Sequence, residues 1–584
     1  MTDYFEVLER DGAARRGELR LAESRPTPGL ADDVVEDAGS EWVRDRDHPD
    51  GDDSVVTVLP HRAMPSGTPE QVQDAFAPDY PDVDFPSAAV VSPQTAENVG
   101  ADVYVLSGAP GIVGHGAGFV EAVVETKRAI PDDAALYLPG VATPANVATL
   151  VYAGVDLVDA TNAIVEGTRG RYLTIAGEYD LASLDELPCS CAACAGGIDE
   201  FDREDCVAHN RNALKAELAR VRRRIRDGRL REYVEGQARH TAWLTAAFRE
   251  LDDEWAYLEE RTPVFREGEL LAASEDTLYR VEIQRFANRV TSRFERRLDD
   301  VPLLLLPCSA KKPYSESQSH RQFQQAARYR GHVVSMTSPI GVVPQELELT
   351  YPAQHYDSVV TGRWSAGEIE MVGDVLEAYL DRTDYSRVVA HVPEHGYRDA
   401  VERAVEGRDV PVEYTVEDHP TTDASLENLG GALEGERTIR VQERERATLA
   451  AVADHHLGGG AGDALLDDVT MRGRYPKLQA IDPDGEQLAA LVPQYGTLSL
   501  TLAGARRWVE SSLPTKTVRI DDFVPHGSVL APGVVAADAS IREGDEVVVK
   551  GSSAFGVGRA AAHGRAMEES TRGVAVDVRH VTER

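Results

Sequence analysis

Leu303-Leu304-Leu305-Leu306-Pro307-Cys308-Ser309-Ala310-Lys311-Lys312-Pro313-Tyr314 begins as a tight apolar run and ends in a polar loop broken by proline. A short apolar run bounded by turn residues reads as a buried strand. Beyond it the pattern predicts a helix over 320–329, a strand over 332–336, a helix over 368–380 and a strand over 387–391. Strands alternating with helices imply an α/β domain with a mostly parallel sheet, whose sites lie at the C-terminal ends of the strands. Cys308 sits at such an end. Lys311 and Lys312, two of only seven lysines in the chain, stand beside it. Positive charge and a helix N-terminus both favour a thiolate, and Ser317 suits the N-cap of the following helix. Cys308 is therefore a candidate nucleophile, with a buried structural cysteine as the alternative.

At 584 residues, 42% of them hydrophobic, the chain is long enough for about three to five ordered domains. No apolar run is long enough to cross a bilayer, and Met-Thr-Asp-Tyr-Phe-Glu opens without a basic start or an apolar core. A cytoplasmic protein without a membrane partner is expected. The net charge is -38, and seven of the 61 Lys+Arg residues are lysine. Such an acidic, lysine-poor surface is similar to that of halophilic archaeal proteins. At about 1 M salt the Debye length is about 3 Å, so repulsion of phosphates is screened and nucleic-acid binding is not excluded. The densest basic patch, Arg220, Arg222, Arg223, Arg224 and Arg226, would contact phosphate or form a solvated helix face.

The expected architecture is an α/β multidomain chain. Residues 1–209 form a trimmed (β/α) barrel with a zinc-binding insertion, and 210–300 a charged helical region. A second α/β core domain spans 301–430, a small α+β module with the Gly458-Gly459-Gly460 turn spans 431–512, and a β-rich domain spans 513–584. The stretch from 421 to 435, rich in Asp, Thr, Gly and Glu, reads as a linker. Cys189-x-Cys191-x-x-Cys194 with His209 supplies three thiolates and an imidazole for a closed, structural zinc site, and Cys206 competes with His209 as fourth ligand.

Three resemblances add to this reading. Residues 528–534, 541–549 and 556–560, with turns at Gly533 and Gly544 around a polar helix, resemble the PUA domain of RNA-modifying enzymes. That likeness implies RNA contact at Gly533, where no side chain blocks close approach, and at Arg559 and His563. Tyr137-Leu138-Pro139-Gly140 and Gly154-Val155-Asp156-Leu157-Val158-Asp159, with the zinc motif, resemble tRNA-guanine transglycosylases. Asp159 aligns with that family's nucleophilic aspartate. The chain departs from the family at Val105-Leu106-Ser107-Gly108-Ala109, where the expected aspartate of a second carboxylate is a leucine. The resemblance thus implies a barrel that keeps tRNA binding and has lost base exchange. Pro307-Cys308-x-x-x-Lys312-Pro313-Tyr314-x-x-Ser317-x-x-His320 resembles the signature of the archaeosine synthases.

That last resemblance implies a tRNA bearing 7-cyano-7-deazaguanine at position fifteen of the D-loop, an amine donor (lysine or glutamine) and a radical-SAM enzyme as partner. Cys308 would attack the nitrile, His320 or Lys312 would carry protons, and Tyr314 or Ser317 would orient the base. Asp357 and Trp364 would read and stack a flipped base, or form a packed seam; Glu394 and His395 end a strand on the same rim. A transglycosylase and a non-catalytic tRNA-binding subunit are the alternatives.

Overall fold

The computed structural model describes residues 4–44, 46–47, 49–65, 67–359 and 363–584. The chain forms two compact units: Met1–Pro263 with Leu530–Arg542 and Ala562–Ala575, and Val264–Val529 with Glu543–Ala561 and Val576–Arg584. The segment 210–300 therefore divides at residue 263, and the last domain contributes to both units.

In the first unit a seven-stranded parallel sheet runs in the order Gly29–Leu30, Leu157–Val158, Ala135–Leu138, Val103–Leu106, Ser87–Val91, Val56–Val58, Val35–Asp37. Its two edge strands are joined by residues 31–34 alone. Laid flat, seven strands would put the edges roughly 29 Å apart, and the connection reaches only about 18 Å, so the sheet must curl into a trimmed barrel. Val103–Leu106 is buried at every position, as a strand covered on both faces must be. Phe5–Asp11, Ala14–Leu19 and Arg25–Thr27 form an antiparallel sheet, and Phe5 and Leu19 pack with Val103, Ala135 and Leu157 of the barrel.

The helix after the cysteine stretch, Arg203–Arg226, starts earlier than the charge pattern implied because Asp202 and Asp205 close a capping box. Four of the five arginines of the basic patch meet protein groups. Arg222 donates to the Pro28 carbonyl (2.5 Å), Arg223 pairs with Asp227 (2.8 Å), Arg220 pairs with Glu217, and Arg224 lies over the Tyr233 ring. The solvated-face reading fits better than phosphate contact. His563 is buried at 1% exposure, caps the helix Gly564–Glu569 and lies 3.5 Å from Asp132, which removes it from RNA contact. The polar helix expected after Gly533 is instead the strand Val534–Ala537, whose β-branched start favours extension.

In the second unit a five-stranded sheet runs Gly341–Pro344, His332–Thr337, Leu303–Pro307, Val388–Ala390, Val412–Tyr414, with only the first strand antiparallel to its neighbour. Leu303–Pro307 comes first in the chain and lies in the middle, so the connections leave it in both directions. Alternation sends Leu303 and Leu305 into one core with Val372, Leu376 and Tyr379, and Leu304 and Leu306 into another with Phe323, Leu429 and Leu433. The second core corrects the linker expected over 421–435. Thr422 caps a helix, Asp423–Ala432, whose Leu426 and Leu429 recur at helical spacing within a polar composition. Beyond it, four antiparallel strands from Thr470–Arg474 to Thr497–Leu500 carry the helix Leu502–Glu510 with a buried Trp508. Among the described residues no helix is long and apolar enough to cross a membrane.

Because Leu429 is fully buried under the central strand, Leu429→Ala should cost roughly 2–5 kcal/mol. It should lower the unfolding midpoint of the second unit in high-salt denaturation, whereas a flexible linker would leave the midpoint unmoved.

Candidate active site

The site is built where the connections leave Leu303–Pro307 on opposite sides, the position at which open α/β sheets form a crevice. Cys308 follows this strand, and its N–H still donates to the Met336 carbonyl (3.1 Å). The free, half-buried thiol lies 3.2 Å from the hydroxyl of Tyr397. Tyr397 comes from the turn Glu394–Arg398, just beyond the neighbouring strand Val388–Ala390. Its ring packs on Trp364, with centroids 4.1 Å apart and a 38° tilt. Gly396 makes this approach possible. Its φ is +73°, and a Cβ there would stand 3.0 Å from Trp364 Cβ and 3.1 Å from Cγ. Burial, and then negative charge on Cys308, push the Tyr397 phenol well up, so it remains a proton donor.

The motif loop closes the other side. Lys312 Nζ donates to the Tyr356 carbonyl (2.6 Å) and sits 3.9 Å from the centroid of that ring. Burial lowers its pKa, and negative charge on Cys308, Asp357 and Glu269 opposes the shift. Tyr314 and Thr337 both hydrogen-bond the Tyr356 hydroxyl, at 2.7 and 2.6 Å. Glu348 holds the loop in place, accepting from the Ser315 N–H (2.9 Å) and the Tyr475 hydroxyl (2.7 Å). Lys311 reaches outward to Glu316 at 3.3 Å.

Other motif residues stand behind this group. Ser317 is the N-cap of Gln318–Ala327 and accepts from the His320 N–H (3.1 Å). His320 is 4% exposed, its Nε2 pairs with the Pro307 carbonyl (2.9 Å), and burial lowers its pKa to about 4. A neutral imidazole committed to a backbone carbonyl positions the residue before Cys308. Asp357 is exposed on Tyr356–Ser358, and Glu394 and His395 are exposed on their turn. Thr361 and Gly362, expected near Trp364, lie outside the described residues. Tyr397 lies two residues beyond His395, the last residue of this rim that the sequence marks.

Two further sites belong to the first unit. Cys189, Cys191, Cys194 and His209 bring their ligand atoms within 4.8 Å of one another and could hold a metal ion. His209 Nδ1 faces the sulfurs of Cys191 (3.7 Å) and Cys194 (3.4 Å) while Nε2 meets the Leu173 carbonyl (3.0 Å), which fixes the ring for ligation. Cys206 turns away to the Arg171 carbonyl (3.3 Å), so His209 is the fourth member. Asp159, 5% exposed at the end of Leu157–Val158, accepts from the Tyr137 hydroxyl (2.8 Å), Gly140 N–H (2.6 Å) and Thr161 N–H (2.8 Å). The Asp32 carboxylate accepts from Ala160 N–H at 3.1 Å, placing a second acid on that rim which the sequence did not reveal. Gly533 ends a half-exposed 3-10 turn. In the second unit the Arg559 guanidinium lies over Phe265 at 5.0 Å.

These features define a multidomain relative of the transglycosylases. Residues 86–242 match the family model described as queuine tRNA-ribosyltransferase, 447–514 the patch-forming domain C2 of tRNA-guanine transglycosylase, and 519–582 the PUA domain. Residues 283–433, which carry the Cys308 site, match a domain of unknown function. The chain is 61% identical to the archaeosine synthase of Haloferax volcanii, over 100% of both chains. It is 41% identical to the archaeosine synthase subunit alpha of Methanosarcina acetivorans, again over 100% of both. A tRNA-guanine(15) transglycosylase of Methanobrevibacter smithii shares 26% over 74% of this chain and 64% of its own length. The chain belongs to the archaeosine synthase family.

Two outcomes test the geometry. His320 has a folded pKa of about 4 against an ordinary 6.5. Between these values the unfolded chain binds the proton and the folded chain does not. Stability is therefore full above pH 6.5 and falls towards pH 4, with His320 contributing on the order of 3 kcal/mol. His320→Gln should flatten this part of a stability–pH curve; an unchanged slope would show that the imidazole is not held neutral. Elemental analysis of purified protein should find about one divalent metal ion per chain, lost in Cys191→Ser and kept in Cys206→Ser.

Proposed function

We propose that this chain acts on a tRNA carrying 7-cyano-7-deazaguanine at position fifteen of the D-loop and adds an amine across the nitrile, giving an amidine on the way to archaeosine. The observation that carries this reading is the free thiol of Cys308 at the switch point of the central sheet, between a phenol and a half-buried lysine. A nitrile carbon is a modest electrophile that a thiolate traps as a thioimidate, and an amine then displaces the sulfur. Cys308 is the nucleophile. Lys312, its pKa lowered by burial, is suited to accept a proton from the amine donor. Trp364 stacks the flipped base, Asp357 reads its edge, and Tyr314 orders the loop beneath it. Ser317 and His320 hold the helix against Pro307 and keep Cys308 at the strand end.

Lysine is the proposed donor, with glutamine as the alternative. The partner is a radical-SAM enzyme that cleaves the adduct; the name "subunit alpha" carried by the Methanosarcina acetivorans relative supports a second subunit. The PUA match supports tRNA binding, with Gly533 and Arg559 near the RNA, and a cytoplasmic location is part of the same proposal. Zinc is the proposed metal at Cys189, Cys191, Cys194 and His209. Four protein ligands leave no position for water, so its role is to hold the insertion together.

The test is to incubate the chain with nitrile-bearing tRNA and lysine, glutamine or ammonium in high salt, then weigh the digested nucleosides. The adduct of one amine is expected, and Cys308→Ala should abolish it while tRNA still binds. Unchanged nucleosides with every amine would indicate a tRNA-binding subunit, and incorporation of free labelled 7-cyano-7-deazaguanine would indicate a transglycosylase.

A further inference from the structure

Among the described residues it is the Tyr397 hydroxyl that hydrogen-bonds the Cys308 sulfur, at 3.2 Å. It is held there from two directions. Trp364 packs on one ring face, and Gly396 takes a left-handed conformation that lets the turn come within contact of Trp364. Asp399 accepts from the Gly396 N–H at 3.0 Å and fixes that turn. His320, by contrast, spends Nε2 on a backbone carbonyl, and Lys312 spends a proton on the Tyr356 carbonyl. With Cys308 as the thiolate, which has no proton to give, the phenol is the donor of this pair.

We propose that Tyr397 is the acid–base partner of Cys308, giving its proton to the nitrile nitrogen as the sulfur adds and regaining one from the incoming amine. This rests on the nitrile-to-amidine reading above. In the first step the thiolate forms the S–C bond, one C–N π bond breaks, and its electron pair on nitrogen takes the phenol proton, leaving a thioimidate and a tyrosinate. In the second, the amine forms a C–N bond and the remaining π pair moves to the imide nitrogen. The tyrosinate takes a proton from the new ammonium. That nitrogen's lone pair then re-forms C=N and expels Cys308 as thiolate. Thiolate and phenol are both restored, and the net change is nitrile plus amine to amidine, with no oxidant or reductant. Burial keeps the phenol protonated between turnovers, and a strongly basic imide anion is the kind of group that can take its proton.

Tyr397→Phe removes the hydroxyl and keeps the ring on Trp364. With nitrile-bearing tRNA and lysine, kcat should fall by about a hundredfold or more while KM for tRNA is unchanged. Independently of turnover, iodoacetamide labelling of the Cys308 peptide, followed by mass across pH, should be about tenfold slower at neutral pH in the variant, because the thiolate has lost its hydrogen bond. If Cys308→Ala is inactive while Tyr397→Phe keeps both kcat and the labelling profile, Tyr397 is only a wall of the pocket and the inference fails while the nucleophile stands. If Cys308→Ala still turns over, the covalent reading fails. In that case an unshifted labelling profile would overturn the thiol–phenol pairing as well.

Discussion

The second unit depends on one constraint, the burial of Leu303–Pro307 on both faces. Four leucines alternate between two cores, Leu303 and Leu305 in one and Leu304 and Leu306 in the other, so the strand ties the two cores together. With the strand fixed, Cys308 must emerge at its C-terminal end. The next strand lies about 4.8 Å away, which is why a residue a few positions past Val388–Ala390 comes within reach of the sulfur. The Cys308–Tyr397 contact follows from strand spacing, completed by the left-handed turn at Gly396.

What the sequence disclosed follows from the same physics. Barrel strands and the central strand show as apolar runs because both their faces are buried, and the metal ligands show because thiolate spacing is short and local. The helix Asp423–Ala432 did not show, since its few leucines lie among Gly, Asp and Asn and its burial comes from a distant sheet. Tyr397 and Asp32 were missed for a related reason. Each meets its partner across the fold, 89 residues from Cys308 in one case and 128 from Ala160 in the other, and nothing in either local pattern marks it. The motif told which residues cluster in sequence. His320 belongs to it and yet serves the backbone, because a motif records co-occurrence and leaves open which member touches the chemistry.

The charge balance takes on a similar meaning. Many arginines in this acidic chain are spent inside it. Arg15 lies against Asp156 at 2.5 Å, Arg297 against Asp454 at 2.6 Å, and Arg231 binds Asp252, all in buried or largely buried settings. Such pairs hold geometry more than they add stability, since each charge has left water. Arginines paired in this way are not available to phosphate, and in high salt the release of counterions contributes little. Recognition of RNA must lean on shape and stacking, to which surfaces such as Trp364 over Tyr397 are suited.

The two carboxylates of the first unit and the thiol of the second differ in what their lone pairs are free to do. Asp159 accepts from a phenol and two backbone N–H groups, which satisfies most of its acceptor sites. A carboxylate so engaged must give up hydrogen bonds before it can attack carbon, and Asp32 is itself tied to Ala160 N–H. Among the described residues the side-chain partner of the Cys308 sulfur is the Tyr397 hydroxyl, a neighbour that carries a proton it can give. The group with the fewest commitments is the one whose lone pairs remain free to react. By that measure the freer group is the cysteine at the end of Leu303–Pro307, and Asp159 is the more committed one.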